Sequence, residues 1–474
     1  MQASRPNVVF VTIDSARVDH FSLYGYSKAT TPFLESAAPD LAVYMNANTP
    51  AGWTRPAMTS IFTGLYPEQY GFCEDAYPQR DVPFLSEILQ RQGYSVTLLS
   101  NNPYVSPSTG FEDGVDRFYF ISGAGSLRVL DRRVILRNLP GAVRQYLHRR
   151  TAFKVVSKMI NDQANLLIRQ AASDGRPFFM YIHHDAHHPY LSDRRLLRQF
   201  MEPGVPEKEI RQVEEVQRSG NMYWFNADTH APEERRLHYS ILGSMHDASI
   251  RRNDSLIADI VETLKVSGLY EKTMMIVTAD HGEFLGEHEF VSHGLYPYEE
   301  VVRVPLAIKF PSDCPTPGSY DGLVSTIDLG PTILEVAGTH IKEHIPAAQG
   351  LSLLGEERHE FVVTQRKNFG KGVEFWQARY PDHSFEKYDY GCLTSFKSPT
   401  GKFVWSSKGR HGLFDLVSDP GETRNIYDPA DAASAAWLDR AGQWMKEVPH
   451  VPTQTPAELE DKIKKHLQGL GYIE

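Results

Sequence analysis

Five short apolar runs restrict the fold of this chain more than any other feature: NVVFVTI (7–13), SVTLLS (95–100), PFFMYIHH (177–184), TMMIVTA (273–279) and VPLAIKF (304–310). Each is rich in β-branched or aromatic residues and lacks an alternating polar face, as expected of parallel strands buried on both sides. Between them lie segments of helical periodicity, PFLSEILQRQG (83–93), SKMINDQANLLIRQAA (157–172) and ASIRRNDSLIADIVETLKVSG (248–268). Strand and helix in alternation predict an α/β sheet with helices on both faces. Ligands of such sheets bind at the carboxyl ends of the strands, where Asp14 and Asp280 fall.

A chain of 474 residues can bury a large core, and one large domain with a smaller one attached is expected. Its formal charge of -10 gives no basic footprint, so no nucleic-acid partner is expected. Cys73, Cys314 and Cys392 are odd in number and show no CxxC spacing, which disfavours a disulfide framework and points to a reducing compartment. The apolar run near the amino terminus is short and interrupted by Asp14, unlike a signal peptide or a membrane span. These readings predict a cytoplasmic protein with no membrane partner, and base rates allow a homo-oligomer. Residues 120–155 and 196–236 read as charged, poorly periodic insertions that could shape a pocket. Near residue 355 the texture changes to short strands and turns followed by a helix, so domains are expected at 1–355 and 356–474.

The stretch WTRPAMTSIFTG (53–64) resembles a helix start, and on those residues alone Thr54 reads better as an N-cap than as a nucleophile. Hard ligands nevertheless recur at separate places: Asp14, then Asp185 and His187 in HHDAHHPY, then Asp280, His281 and His293 in TADHGEFLGEHEFVSHG. Any one of these has a structural explanation. Their joint occurrence at strand ends changes the balance, and mixed oxygen and imidazole donors suit zinc, manganese or iron better than calcium.

The succession of ID (13–14), T-x-P followed by TGLYP, D-x-H-x-P-Y, DHGE-x-x-GEH and RVPL resembles the sulfatase-like branch of the alkaline phosphatase superfamily. The resemblance runs from about residue 6 to 340, and LFDLVSDPGETRN (413–425) is similar to that family's carboxyl-terminal part. It implies a three-layer αβα sandwich, alkaline phosphatase-like, with a smaller C-terminal α+β subdomain.

Departures from the family pattern bear on the chemistry. Thr54 stands where sulfatases carry the Cys or Ser that becomes formylglycine, and threonine cannot give that aldehyde. Met58 stands at the sulfatase arginine, Ser15 follows Asp14 where the family pairs aspartates, His281 replaces an asparagine and His293 a lysine. Together these changes resemble the two-metal, threonine-nucleophile set of phosphodiesterases and nucleotide pyrophosphatases. That resemblance implies Asp14, Thr54, Asp280 and His281 on one divalent cation and Asp185, His187 and His293 on the other, with zinc or manganese as cofactor. The expected activity is hydrolysis of a small-molecule phosphodiester or phosphonate ester through a phospho-threonine intermediate. Alternatives are a phosphotransferase using the same intermediate, a sulfatase, and a noncatalytic binding protein on the same fold. Arg55, Asn102 and His288 are weaker substrate-contact candidates, while Asn101 reads as a turn residue and His183, His184 and His188 as supporting or packing residues.

Overall fold

The computed structural model describes residues 5–454 apart from 72–76, 80, 122–128, 148–152, 185–189, 191–193, 220–229, 313–316, 369–373, 375–376, 379 and 382–383. Its large sheet contains β1 (Asn7–Ile13), β2 (Ala42–Tyr44), β3 (Ser95–Ser100), β4 (Arg117–Phe120), β5 (Phe178–His184), β6 (Thr273–Thr278), β7 (Leu306–Lys309) and β8 (Gly318–Tyr320). Their order across the sheet is β8-β2-β7-β6-β1-β5-β3-β4. Central β1 is parallel to both β5 and β6, so Asp14 and Asp280, the first and second residues past β1 and β6, emerge at the same edge. All seven residues of β1 and of β5 are buried, which explains why neither run shows an alternating polar face.

One strand differs from expectation. The run read as a parallel strand at 304–310 forms β7, which is antiparallel to both β6 and β2. An apolar run buried on both faces looks the same in either direction, so composition carries no orientation. Here the reversal has a consequence: the β6–β7 connection, 279–305, folds back over the sheet edge and carries His281 and His293.

The helices complete an αβα sandwich. On one side lies α1 (Thr54–Thr63), whose Phe62 packs against Phe10 of β1 and Tyr181 of β5 with ring centroids 6.4 and 5.2 Å away. Burying a side chain of this size stabilises by roughly 1.5–3 kcal/mol, and here it also holds the start of α1 over the end of β1. The segments read as irregular insertions are partly helical, containing α2 (Arg132–Leu147), α4 (Glu207–Ser219) and the start of α5 (Pro232–Val266). Between them runs α3 (Phe153–Asp174), which packs on α5. In α4 only Ile210, Val213 and Gln217 are buried, and two apolar positions make a stripe too narrow to stand out among charged residues. Among the described residues, no helix is long and apolar enough to cross a membrane.

The C-terminal part is a four-stranded antiparallel sheet, β9 (Val362–Arg366), β10 (Leu393–Lys397), β11 (Gly401–Ser406) and β12 (Gly412–Asp415), followed by α6 (Ala432–Glu447). It docks directly beside α1: Gln365 N–H donates to Pro50 O at 2.8 Å and Thr364 Oγ1 donates to Thr49 O. Arg366 Nε donates to Gly294 O at 3.0 Å, fastening the loop that carries His293. A buried charge cluster joins the two parts. Lys402 Nζ is 2.8 Å from both Glu299 Oε1 and Glu422 Oε1, while Lys397 Nζ is 2.7 Å from Glu299 Oε2. Burial opposes the Lys402 charge, but the two glutamates outweigh it and hold its pKa above the usual lysine value. Lys402→Ala would strip Glu422 of its lysine partner beside Glu299, which keeps only Lys397. It is expected to destabilise the fold by about 3–5 kcal/mol, read from urea unfolding.

Candidate active site

Thr54 is the first residue of α1, and the N-cap position belongs to Trp53, whose side chain makes no capping bond. The expectation that Thr54 caps the helix is therefore corrected. Its hydroxyl points at the sheet edge, with Oγ1 3.4 Å from His281 Nε2 and 3.5 Å from Asn102 Nδ2. Gly64, at φ 69°, closes the far end of α1 with its N–H on Ser60 O. Met58 is fully buried, its sulfur 3.6 Å from the Tyr181 hydroxyl.

Asp14 is held from three directions. Its Oδ2 accepts from Asn102 Nδ2 at 2.6 Å and from His183 Nε2 at 3.1 Å, and its Oδ1 accepts from Ser15 Oγ at 3.0 Å. The Tyr181 hydroxyl lies 2.7 Å from His183 Nδ1. With tyrosine donating there, His183 carries its proton on Nε2 and passes the orientation on to Asp14. Ser15 adopts φ 54°, uncommon for a residue with a side chain, and this turn aims its N–H at Asp280 Oδ1, 3.0 Å away.

Asp280 Oδ1 also accepts from His281 N–H at 2.9 Å, whereas Asp280 Oδ2 is buried and makes no hydrogen bond among the described residues. A buried carboxylate oxygen without a donor costs stability unless something else compensates it. His281 Nδ1 lies 2.8 Å from Gly282 O, which puts the proton on Nδ1 and leaves the Nε2 lone pair facing Thr54 Oγ1 and, at 3.5 Å, Asp280 Oδ2. Burial lowers the His281 pKa, keeping the ring neutral as a ligand must be. Ligand atoms of Asp14, Asp280 and His281 all lie within 4.8 Å of one another. A divalent cation fits this set on the orphaned Asp280 oxygen and on the donor chemistry.

His293 stands beside His281, with ring centroids 4.3 Å apart. Its Nδ1 is 3.3 Å from Glu283 Oε1, and Glu283 Oε2 accepts from the Tyr190 hydroxyl at 3.1 Å. A carboxylate behind the second ring nitrogen is the usual way to orient a ligating histidine. Asp185, His187 and His188 lie outside the described residues. Glu283 and Tyr181 were not singled out in the sequence, whereas His183 was read there as a supporting or packing residue and Ser15 as a departure from the family pattern. Glu283 sits inside the DHGE motif, and that adjacency was the available signal.

The weaker candidates separate. Asn102 reaches both Asp14 and Thr54. Arg55 is buried, with its guanidinium 3.5 Å from the Tyr77 ring centroid. His288 stacks on Tyr298, with centroids 3.7 Å apart, and its Nε2 is 3.5 Å from Glu300 Oε1. Those contacts order the loop. His184 bonds Asn253 at 3.1 Å, and burial pushes its pKa down to about 3, so it is a neutral structural residue.

Gly282 carries a constraint that its neighbours do not. A Cβ there would lie 2.0 Å from the backbone oxygen of Glu300. Gly282→Ala must displace the loop between His281 and His293, and misplacement by about 1 Å can cost about 10²-fold in rate. The expected result is a loss of that order in kcat/KM with a lowered Tm.

Comparison with known proteins adds the lineage. The family model described as Sulfatase matches residues 6–339. The chain belongs to the sulfatase family. A second model, described as the C-terminal part of N-sulphoglucosamine sulphohydrolase, matches residues 286–438 of this sulfatase-family protein. It is 24% identical to an uncharacterized sulfatase, YidJ, of Escherichia coli K12, over 90% of this chain and 83% of that protein. It is 23% identical to a choline-sulfatase of Rhizobium meliloti, over 94% of this chain and 88% of that one. Among solved structures, a phosphonate monoester hydrolase of Silicibacter pomeroyi superposes with a TM-score of 0.69 at 19% identity, covering 95% of this chain and 97% of the other. That of Agrobacterium radiobacter gives 0.67 at 17% identity, covering 96% and 97%. At these identities the structural likeness establishes the fold.

Proposed function

We propose that this sulfatase-family hydrolase cleaves phosphorus esters, phosphodiesters or phosphonate monoesters, with Thr54 as nucleophile. The observation that carries the reading is the placement of Thr54 Oγ1 within 3.5 Å of both His281 Nε2 and Asn102 Nδ2, beside the buried carboxylates of Asp14 and Asp280. Asp14, Asp280, His281 and Thr54 would hold one divalent cation, and His293 with Asp185 and His187 a second. Bound there, divalent cations would lower the pKa of the threonine hydroxyl and balance charge on the transferring group.

The chain's own groups do the positioning. Asn102 orients both the hydroxyl and Asp14, and α1 directs its first-turn N–H groups and positive dipole end toward an anion at Thr54. The Thr54 Oγ–P bond forms as the bond to the leaving alkoxide breaks in line, and water then hydrolyses the phospho-threonine. Threonine, Met58, His281 and His293 favour phosphorus over sulfur: no formylglycine can form, a cationic side chain is replaced by a buried thioether, and two imidazoles suit transition-metal cations.

A second reading, sulfate-ester hydrolysis, is favoured by the names of the relatives, which include choline-sulfatase and several arylsulfatases. Initial rates on matched aryl phosphodiester, phosphomonoester, phosphonate monoester and sulfate ester, with zinc or manganese supplied, separate the two. A phosphorus ester is expected to be fastest; a faster sulfate ester overturns the proposal.

A further inference from the structure

Away from this site, His230 and Glu234 at the start of α5, together with His238 one turn further on, bring three ligand atoms within 4.8 Å of one another. The spacing of four residues places Glu234 and His238 on one helix face, and His230 reaches back from the turn before the helix. A further carboxylate, outside this group of three, comes from α4 and faces His238. Glu209 Oε2 lies 3.3 Å from His238 Nε2, and Glu234 Oε1 lies 3.4 Å from His230 Nδ1. Charge-assisted N–H···O⁻ bonds are shorter, about 2.7–2.9 Å. Donors at roughly 2.0–2.1 Å from a tetrahedral ion are spaced by about 3.3–3.4 Å, the separation seen between Glu234 and His230.

Burial agrees with a built site. The His238 side chain is fully buried and that of His230 is 10% exposed, with ring centroids 5.6 Å apart. The neighbouring turns of α4 and α5 contribute Ile210, Val213 and Ile241 to a small separate core that also contains Leu285 and Val291. Two imidazoles and a carboxylate within 4.8 Å of one another, with a second carboxylate against His238, suit zinc-like transition dications rather than calcium or magnesium.

We infer that His230, Glu234 and His238 form a second, structural transition-metal site, of zinc type, that clamps the turn before α5 onto its first turns, with Glu209 of α4 placed behind His238. The inference does not depend on which ester is cleaved. The core that the clamp supports also contains Leu285 and Val291, paired across the short hairpin that lies between Glu283 and His293. Metal at this site therefore braces one wall of the active site from outside.

The test uses the full chain carrying Asp280→Asn and His293→Asn, which removes a ligand from each proposed catalytic position. After chelation and dialysis, this protein is titrated with Co²⁺ and followed by visible absorption and metal analysis. One tightly bound equivalent with the absorption of four-coordinate cobalt is expected. His238→Gln should abolish it. The half-exposed Glu234→Gln serves as the variant least apt to disturb folding, and with unchanged far-UV circular dichroism and unchanged Tm in chelator it should weaken Co²⁺ by at least about tenfold. No cobalt uptake, or uptake with the same affinity in Glu234→Gln, overturns the assignment.

Discussion

Thr54→Ala is expected to lower turnover of the best ester substrate by about 10⁴-fold or more, the scale on which hydrolases lose activity when the nucleophile itself is removed. Metal content should survive, because the buried ligand atoms of Asp14, Asp280 and His281 remain clustered without the threonine oxygen. Thr54→Ser keeps the hydroxyl at the first position of α1 and is expected to retain measurable turnover with a trapped phospho-serine. Purified Thr54→Ala protein that turns over like the wild type would remove Thr54 from the chemistry and leave His281, whose Nε2 faces the same space, as the group to examine next.

Asp280→Asn is expected to produce two opposite effects. Asparagine can keep accepting the N–H groups of Ser15 and His281 through its carbonyl oxygen, so the turn at β1 and the loop after β6 should persist. The second carboxylate oxygen, buried without a hydrogen bond, becomes a neutral amide. In metal-free protein this relieves a buried charge, and a rise in stability of about 1–3 kcal/mol is expected. With zinc or manganese present the order reverses: the wild type should gain stability by ligand linkage and the variant should gain far less. Activity should fall with metal affinity. Paired melting curves with chelator and with metal test both halves, and an Asp280→Asn protein stabilised by metal as strongly as the wild type would exclude Asp280 as a ligand.

Much of the architecture was legible before folding was considered. The runs at 7–13, 95–100, 177–184 and 273–279 are strands of one sheet because residues that are apolar at every position can be satisfied only by burial on both faces. The candidate ligands Asp14 and Asp280 were legible for the same reason, since a carboxylate immediately after such a run sits at the strand's carboxyl end. Glu283 and Tyr181 were not, because a supporting residue is defined by what it touches. His183 was legible only as a supporting or packing residue, because its place in a buried strand does not say which. The helical content of 196–236 was hidden by charge: three buried positions in α4 make too narrow a stripe to announce a helix.

By itself, then, the sequence determined the αβα sandwich, the threonine at a helix start and the set of oxygen and imidazole donors, since these follow from local periodicity and residue chemistry. Only the tertiary structure decided that Thr54 is not the helix cap and that β7 runs antiparallel. It alone showed that Asp280 turns an oxygen without a hydrogen bond among the described residues toward the Nε2 of His281, that Arg55 stacks on Tyr77, and that His230, Glu234 and His238 meet. Strand direction, side-chain aim and tautomer depend on contacts between segments tens to hundreds of residues apart, and a local pattern contains no record of them.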